Sequence, residues 1–268
     1  MDITDKSIFG ILEKPLRIWA VGAIHGEAMR LRDLHEALLG RLCVGDRIVY
    51  LGNYFGIGPL VRETIDELIE FRRTFLTIPG AEPEDVVFLR GAQEEMWRKM
   101  LQIQLATIPQ DVFDWMIERG AEATLRAYGG NANEARVRFR EGILSTTRWT
   151  GTLRQAMAAS PGHNELMSSL RRAAYTDNGR LLFVHAGIDP NRPLSEQKDT
   201  FWWGAPYFAS VDAPFNGFDK VIRGFDPDHG GVVETRHTLS IDGGCGFGGE
   251  LLALCLSPEG EVIDRLCV

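Results

Sequence analysis

Long apolar runs are missing from this chain of 268 residues. Its hydrophobic stretches are strand-length, well short of the ~20 residues that cross a bilayer, so no membrane partner is expected. A basic excess is missing too. Twenty-nine Lys and Arg stand against 37 Asp and Glu, a formal charge of -8, the wrong sign for a surface that follows nucleic acid. The four cysteines, Cys43, Cys245, Cys255 and Cys267, form no CxxC pair and no histidine-linked spacing, which argues against a structural zinc or a redox dithiol. Residues 1–6 carry acids where a secretion signal has its basic start, with no long apolar run behind them; a cytoplasmic protein is the expectation. Repeats, low-complexity tracts and Pro/Ser linkers are absent, which leaves one domain over residues 1–268.

What is present is a design used five times: a strand-like run that empties into a tight glycine turn. Residues 16–21 lead to Gly22-Ala23-Ile24-His25-Gly26, and residues 47–51 to Gly52-Asn53-Tyr54-Phe55-Gly56-Ile57-Gly58-Pro59. Val86-Val87-Phe88-Leu89-Arg90 runs into Gly91-Ala92-Gln93-Glu94, residues 181–184 into His185-Ala186-Gly187, and residues 221–223 into Gly224-Phe225-Asp226-Pro227. Over the first hundred residues these runs alternate with stretches of helical apolar spacing, the pattern of βαβ units. Between Met96 and about Tyr175 the strand pattern gives way to helical segments, and after Gly179 closely spaced strands return.

The five turns, in this order, resemble those of the calcineurin-like metallophosphoesterases, closest to bacterial serine/threonine protein phosphatases and symmetrical diadenosine tetraphosphatases. There they read GDxHG, GDxxDRGP, GNHE, VHAG and GHTP, with a later IDTG turn matched here by Ile241-Asp242-Gly243-Gly244. The resemblance runs from about Arg17 to the C-terminus. It implies an α/β fold, a four-layer α/β/β/α sandwich, with residues 96–175 as a helical cap insertion. It also implies a chemistry in which two divalent cations roughly 3.5–4 Å apart clamp a phosphate and activate a bridging water.

Most of the residues that chemistry needs are replaced. Of the family's metal-ligand positions His25 and His185 keep their imidazoles, whereas the others are Ala23, Asn53, Ala92 and Phe225. The general-acid histidine falls on Gln93, the aspartate that orients it on Gly56, and the two phosphate-gripping arginines on Ile57 and Gly204. A glutamine has no proton to give near neutral pH, and isoleucine and glycine cannot hold a phosphate. Glu27, Glu94, Asp226 and Asp242 lie near the turns, as substitute ligands or as turn-stabilising carboxylates. No metal cofactor is expected; an active protein would be a metal-dependent phosphoric ester hydrolase using Mn or another divalent cation.

Residues 101–175 hold nine Lys/Arg and seven Asp/Glu, a balance of +2, so the remainder carries -10. Their arginines cluster at Arg136, Arg138 and Arg140, which with Trp202 and Trp203 are candidate binding residues, since arginine and tryptophan anchor interfaces. The expected function is that of a pseudophosphatase: a regulatory protein that binds a protein partner, a phospho-ligand or another copy of itself. A weakened phosphoesterase of protein phosphatase or diadenosine tetraphosphatase type and a small-molecule or nucleotide sensor remain as alternatives.

Overall fold

Apolar runs buried on both faces form parallel strands, which need cover on either side. β2 (Arg17–Val21) and β3 (Asp46–Tyr50) pair in this way, with β4 (Val86–Phe88) beyond β3. Antiparallel β10 (Leu252–Leu256) and β11 (Val262–Cys267) complete a five-stranded sheet of order β11-β10-β2-β3-β4. A second sheet of six strands runs β1-β5-β6-β7-β9-β8, made of β1 (Phe9–Leu12), β5 (Ala173–Thr176), β6 (Leu181–Val184), β7 (Lys220–Arg223), β8 (Gly231–Glu234) and β9 (Thr238–Asp242). The computed structural model describes residue 5 and residues 7–204 and 208–268. Outside it lie most of the N-terminal stretch read for a secretion signal and Ala205 of the tryptophan-rich segment.

The sheets pack face to face through Ile18, Ala20, Val49 and Leu51 of one and Leu181, Phe183, Ile222 and Ile241 of the other. On the far side of the five-stranded sheet, Trp19, Ile48 and Tyr50 meet α1 (Ala28–Leu39) and α2 (Val61–Phe75). Helix α2 buries Val61, Ile65, Leu68, Phe71 and Phe75, an i, i+4, i+7 stripe, and its Glu63 and Arg72/Arg73 suit the two ends of its dipole. The fourth layer is thinner than the resemblance implies. Over the six-stranded sheet lie α9 (Thr200–Trp203), short 3-10 turns and loop, anchored by Phe201, Trp202, Phe215 and Phe218. No helix among the described residues is long and apolar enough to cross a membrane.

Between β4 and β5, the stretch that holds the expected cap of residues 96–175, the chain is helical: α3 (Ala92–Met100), α4 (Pro109–Met116), α5 (Glu122–Ala127), α6 (Ala132–Arg140), α7 (Ile143–Ala158) and α8 (His163–Ser169). A kink joins α4 to α5, where Arg119 and Gly120 leave helical geometry and Gly120 takes φ 90°. The cap's Phe113, Tyr128, Trp149 and Leu153 belong to the same apolar cluster as Trp19 and Tyr50, so cap and sheet share one core.

Two polar chains start from α2, one tying it to α1 and the sheet, the other to the cap. From α2, Glu67 contacts buried His35 at 2.6 Å, and His35 contacts Tyr50 Oη at 2.8 Å. The neighbouring Asp66 reaches buried His163 of α8 at 3.0 Å, and His163 reaches Tyr128 Oη at 2.7 Å. Tyr128 stacks on Trp97 with ring centroids 5.1 Å apart.

Candidate functional site

The five glycine turns meet at one edge of the sandwich, stitched by backbone hydrogen bonds. Ala23 N–H donates to Gly224 C=O (3.0 Å), and His25 N–H donates to Asn53 C=O (2.7 Å). Gly224 and Phe225 both donate to His185 C=O, at 3.0 and 2.9 Å. Turns from both sheets are thus locked together before any side chain is considered.

Two carboxylates complete this frame. Glu94, fully buried, accepts from the N–H groups of Gly91 (2.8 Å), Asn53 (2.9 Å), Tyr54 (2.8 Å) and Phe55 (3.0 Å). Burial raises its carboxyl above the ordinary range while these four bonds pull the other way. Asp242 accepts from Asp226 N–H (2.8 Å), Gly244 N–H (2.9 Å) and His229 Nδ1 (2.9 Å). Asp226 pairs with Arg223 and accepts from Asp228 N–H. Three of the four carboxylates that stood as possible substitute ligands therefore hold turns; Glu27 sits at the N-cap of α1 and makes no side-chain cap bond there.

The side chains between these turns are neutral. Asn53 Oδ1 accepts from Gln93 N–H (3.0 Å), which turns its amide nitrogen toward His25 Nε2 at 3.3 Å. That nitrogen is then the acceptor, and the His25 proton sits on Nδ1. Burial, with His185 and His229 nearby, depresses the His25 imidazole to about 3. His185 donates from Nδ1 to Leu51 C=O (2.7 Å), and burial depresses it to about 4. Phe225 stands between them, edge-on to His25 at 6.0 Å and stacked on His185 at 5.6 Å between ring centroids.

His185 Nε2 is buried and has no hydrogen-bond partner among the described residues, the kind of donor a divalent cation uses. The rest of the set does not fit a pair of cations. Asn53 supplies an amide already bonded, Ala23 and Ala92 supply nothing, Phe225 occupies a ligand position, and Glu94, Asp226 and Asp242 are engaged. Two divalent charges here would lack the compensating carboxylates that hard cations require. Among the described residues no three His, Cys, Asp or Glu side chains group to hold a metal.

Above this neutral floor lies a cavity of about 570 Å³. From the positions singled out in the sequence it takes His25, Asn53, Ile57, Ala92, Gln93, Phe225, Trp202 and Trp203; Met96, Phe247 and the kink Ile117–Gly120 close it. Gly120 is required at that kink: a Cβ there would come within 2.7 Å of Ile57 Cγ1. Gly56, with φ 124°, lies beneath, where a Cβ would come within 2.9 Å of His25 Nδ1. Ala23, Gly56, His185 and Gly204 do not line the cavity, and Gly204 ends α9 instead.

Arg136, Arg138 and Arg140 lie on α6 and do not reach the cavity wall. Arg136 pairs with Asp114 (2.8 Å), Arg138 with Glu134 (3.1 Å) and Glu141 (3.2 Å), and Arg140 donates to Arg136 C=O (3.2 Å). Cys245 is buried, donates to Ile24 C=O, and has its thiol pushed up to about 12 by burial, which makes it unreactive.

Sequence reasoning missed Phe247, which packs on His25 at 5.1 Å and His229 at 4.3 Å between ring centroids, and the His229–Asp242 pair. Both lie in glycine-rich turns, Gly243–Gly249 and the stretch after Pro227, that were the available signal.

No protein-family model and no curated protein matches the chain in sequence. Solved structures do match. One, provisionally assigned as a diadenosine tetraphosphatase, is 17% identical with a TM-score of 0.57, over 96% of this chain and 97% of its own. A protein serine/threonine phosphatase from Saccharomyces cerevisiae is 15% identical with a TM-score of 0.53, over 98% of this chain and 82% of its own. A cold-active protein tyrosine phosphatase gives 13%, 0.53, 98% and 82% on the same measures. At these identities the likeness is one of architecture: two packed sheets flanked by helices, a metallophosphoesterase fold.

Proposed function

We propose that the chain is a non-hydrolysing protein built on a phosphatase fold, which acts by binding in the cleft beneath its cap. The observation that carries this is Phe225, seated between His25 and His185 at a position where the family resemblance implies a metal ligand. Around it the losses agree: among the described residues, the only charged ones in the cavity wall are Glu118 and Arg119, opposite in sign and exposed. A phosphoryl group entering this cleft would leave water for neutral amides and aromatic rings, a costly exchange for an anion. A regulatory role through a bound ligand or partner is therefore favoured over phosphate chemistry.

The weakened phosphoesterase has one observation in its favour, the unpartnered His185 Nε2. Calorimetric titration with Mn²⁺, beside an aryl phosphate assay, separates the two. The expected result is no saturable Mn²⁺ binding and hydrolysis equal to a protein-free blank. Turnover that needs Mn²⁺ and disappears in His185→Ala would overturn the binding reading.

A further inference from the structure

Three residues that line this cavity carry orphan polar atoms. His25 Nδ1, Gln93 Oε1 and Trp202 Nε1 are each buried without a hydrogen-bond partner among the described residues, and all three residues line the cavity. They are themselves almost fully buried, at 2%, 5% and 4% exposure. An unmet buried donor or acceptor costs roughly 1–3 kcal/mol, and a native structure that keeps several in one place usually satisfies them from outside the chain.

Their chemistry is specific. His25 Nδ1 carries the proton, because Asn53 donates to the other nitrogen, so it is a donor. Trp202 Nε1–H is a second donor. Gln93 spends its amide nitrogen on Arg119 C=O at 2.8 Å, so its oxygen is an acceptor. The complement is two acceptors and one donor. The walls are aromatic or apolar, with Trp203, Phe247 and Ile57 prominent, and they suit a flat ring system. A volume of about 570 Å³ exceeds a single ring and falls in the ~300–1,000 Å³ range of small-molecule pockets.

We propose that the cleft takes an uncharged bicyclic heteroaromatic bearing a cyclic amide. Its carbonyl and a ring nitrogen accept from His25 and Trp202, and its N–H donates to Gln93. This rests on the binding reading above and names the ligand class for the same site. Because the three atoms are closed to solvent, the His25, Gln93 and Trp202 side chains turn toward the ligand as it enters. For Gln93 the tie to be loosened is its bond to Arg119, in the kink where helical geometry already breaks.

The test titrates the full chain with quinazolin-4-one, with quinoline, which lacks the amide, and with quinoline-2-carboxylate, which adds a charge, following calorimetric heat and thermal shift. Quinazolin-4-one should bind saturably and about tenfold tighter than quinoline, the worth of one or two net hydrogen bonds, with the carboxylate weakest. Gln93→Leu should abolish the preference for quinazolin-4-one while quinoline binds as before. Trp203→Ala, at the wall, should weaken both alike, and supplies the check if Gln93→Leu does not fold. Equal binding of quinazolin-4-one and quinoline, tighter binding of the carboxylate, or no binding of the three overturns the proposal. Failure here without Mn²⁺-dependent turnover leaves the binding reading standing; turnover removes both.

Discussion

The carboxylates that hold the turns and the side chains that face the cavity stand a few residues apart in sequence and differ in how well they are bonded. Glu94 accepts from four backbone N–H groups and Asp242 from three donors. Gln93, next to Glu94, leaves its oxygen unmet, as His25 leaves Nδ1. The frame is closed on itself and the cavity wall is not. A frame of backbone bonds keeps its geometry whatever the wall beside it binds.

The largest expected effect comes from breaking the frame. Glu94→Ala strands four buried donors, and at roughly 1–3 kcal/mol each the loss approaches the whole stability of a domain. Urea denaturation should find the variant unfolded or severely destabilised, and Gln93→Leu close to the wild type. A cost for Glu94→Ala below about 1 kcal/mol would erase the distinction between frame and wall.

A second test uses acid. The folded His25 and His185 are depressed to about 3 and about 4, below the ordinary 6.5, so below pH 6.5 the unfolded chain binds protons the folded chain refuses. Their contribution is fully present above pH 6.5 and is lost as pH falls toward 4 and then 3. Each should cost about 1.4 kcal/mol per pH unit in that window. A His25→Gln/His185→Gln variant should show a shallower acid limb in melting temperature against pH. An unchanged limb would mean these imidazoles charge without penalty.

The smallest effect is expected on α6. Arg138 makes exposed ion pairs within its own neighbourhood, which solvent screens to a small contribution. Arg138→Ala should barely move the melting temperature and should leave cleft ligands bound as before. Loss of a captured protein partner in this variant, with the cleft unaffected, would restore α6 as an interface.

The sandwich was legible in the residues because glycine turns after β-branched runs mark strand ends, and five in order leave few topologies. Ala92 and Phe225 in the cavity wall could be read by type, because neither side chain can carry a charge. The pairing of Arg136 with Asp114 was not, for it depends on how α4 and α6 cross. Phe247 escaped notice because only the folded turn brings it over His25, 222 positions away by number (247 − 25). The thin fourth layer was hidden for a similar reason: its cover comes from scattered aromatics, with no periodic helix to betray it.

The Asp66–His163–Tyr128 chain bears on how anything enters. To swing as one body, the cap would have to part His163 from Asp66 of α2 and split an apolar cluster that runs unbroken into the sheet. The roof is therefore tied down, and the part of the cavity wall able to yield is the sill Ile117–Gly120, where helical geometry already breaks. Amide hydrogen exchange should be fast at Gly120 and Ala121 and slow at Leu125 and Leu166; the reverse order would mean a hinged lid. Traffic through a sill is limited in width, so exclusion of bulky solutes follows from the architecture of the entrance before any contact inside is made.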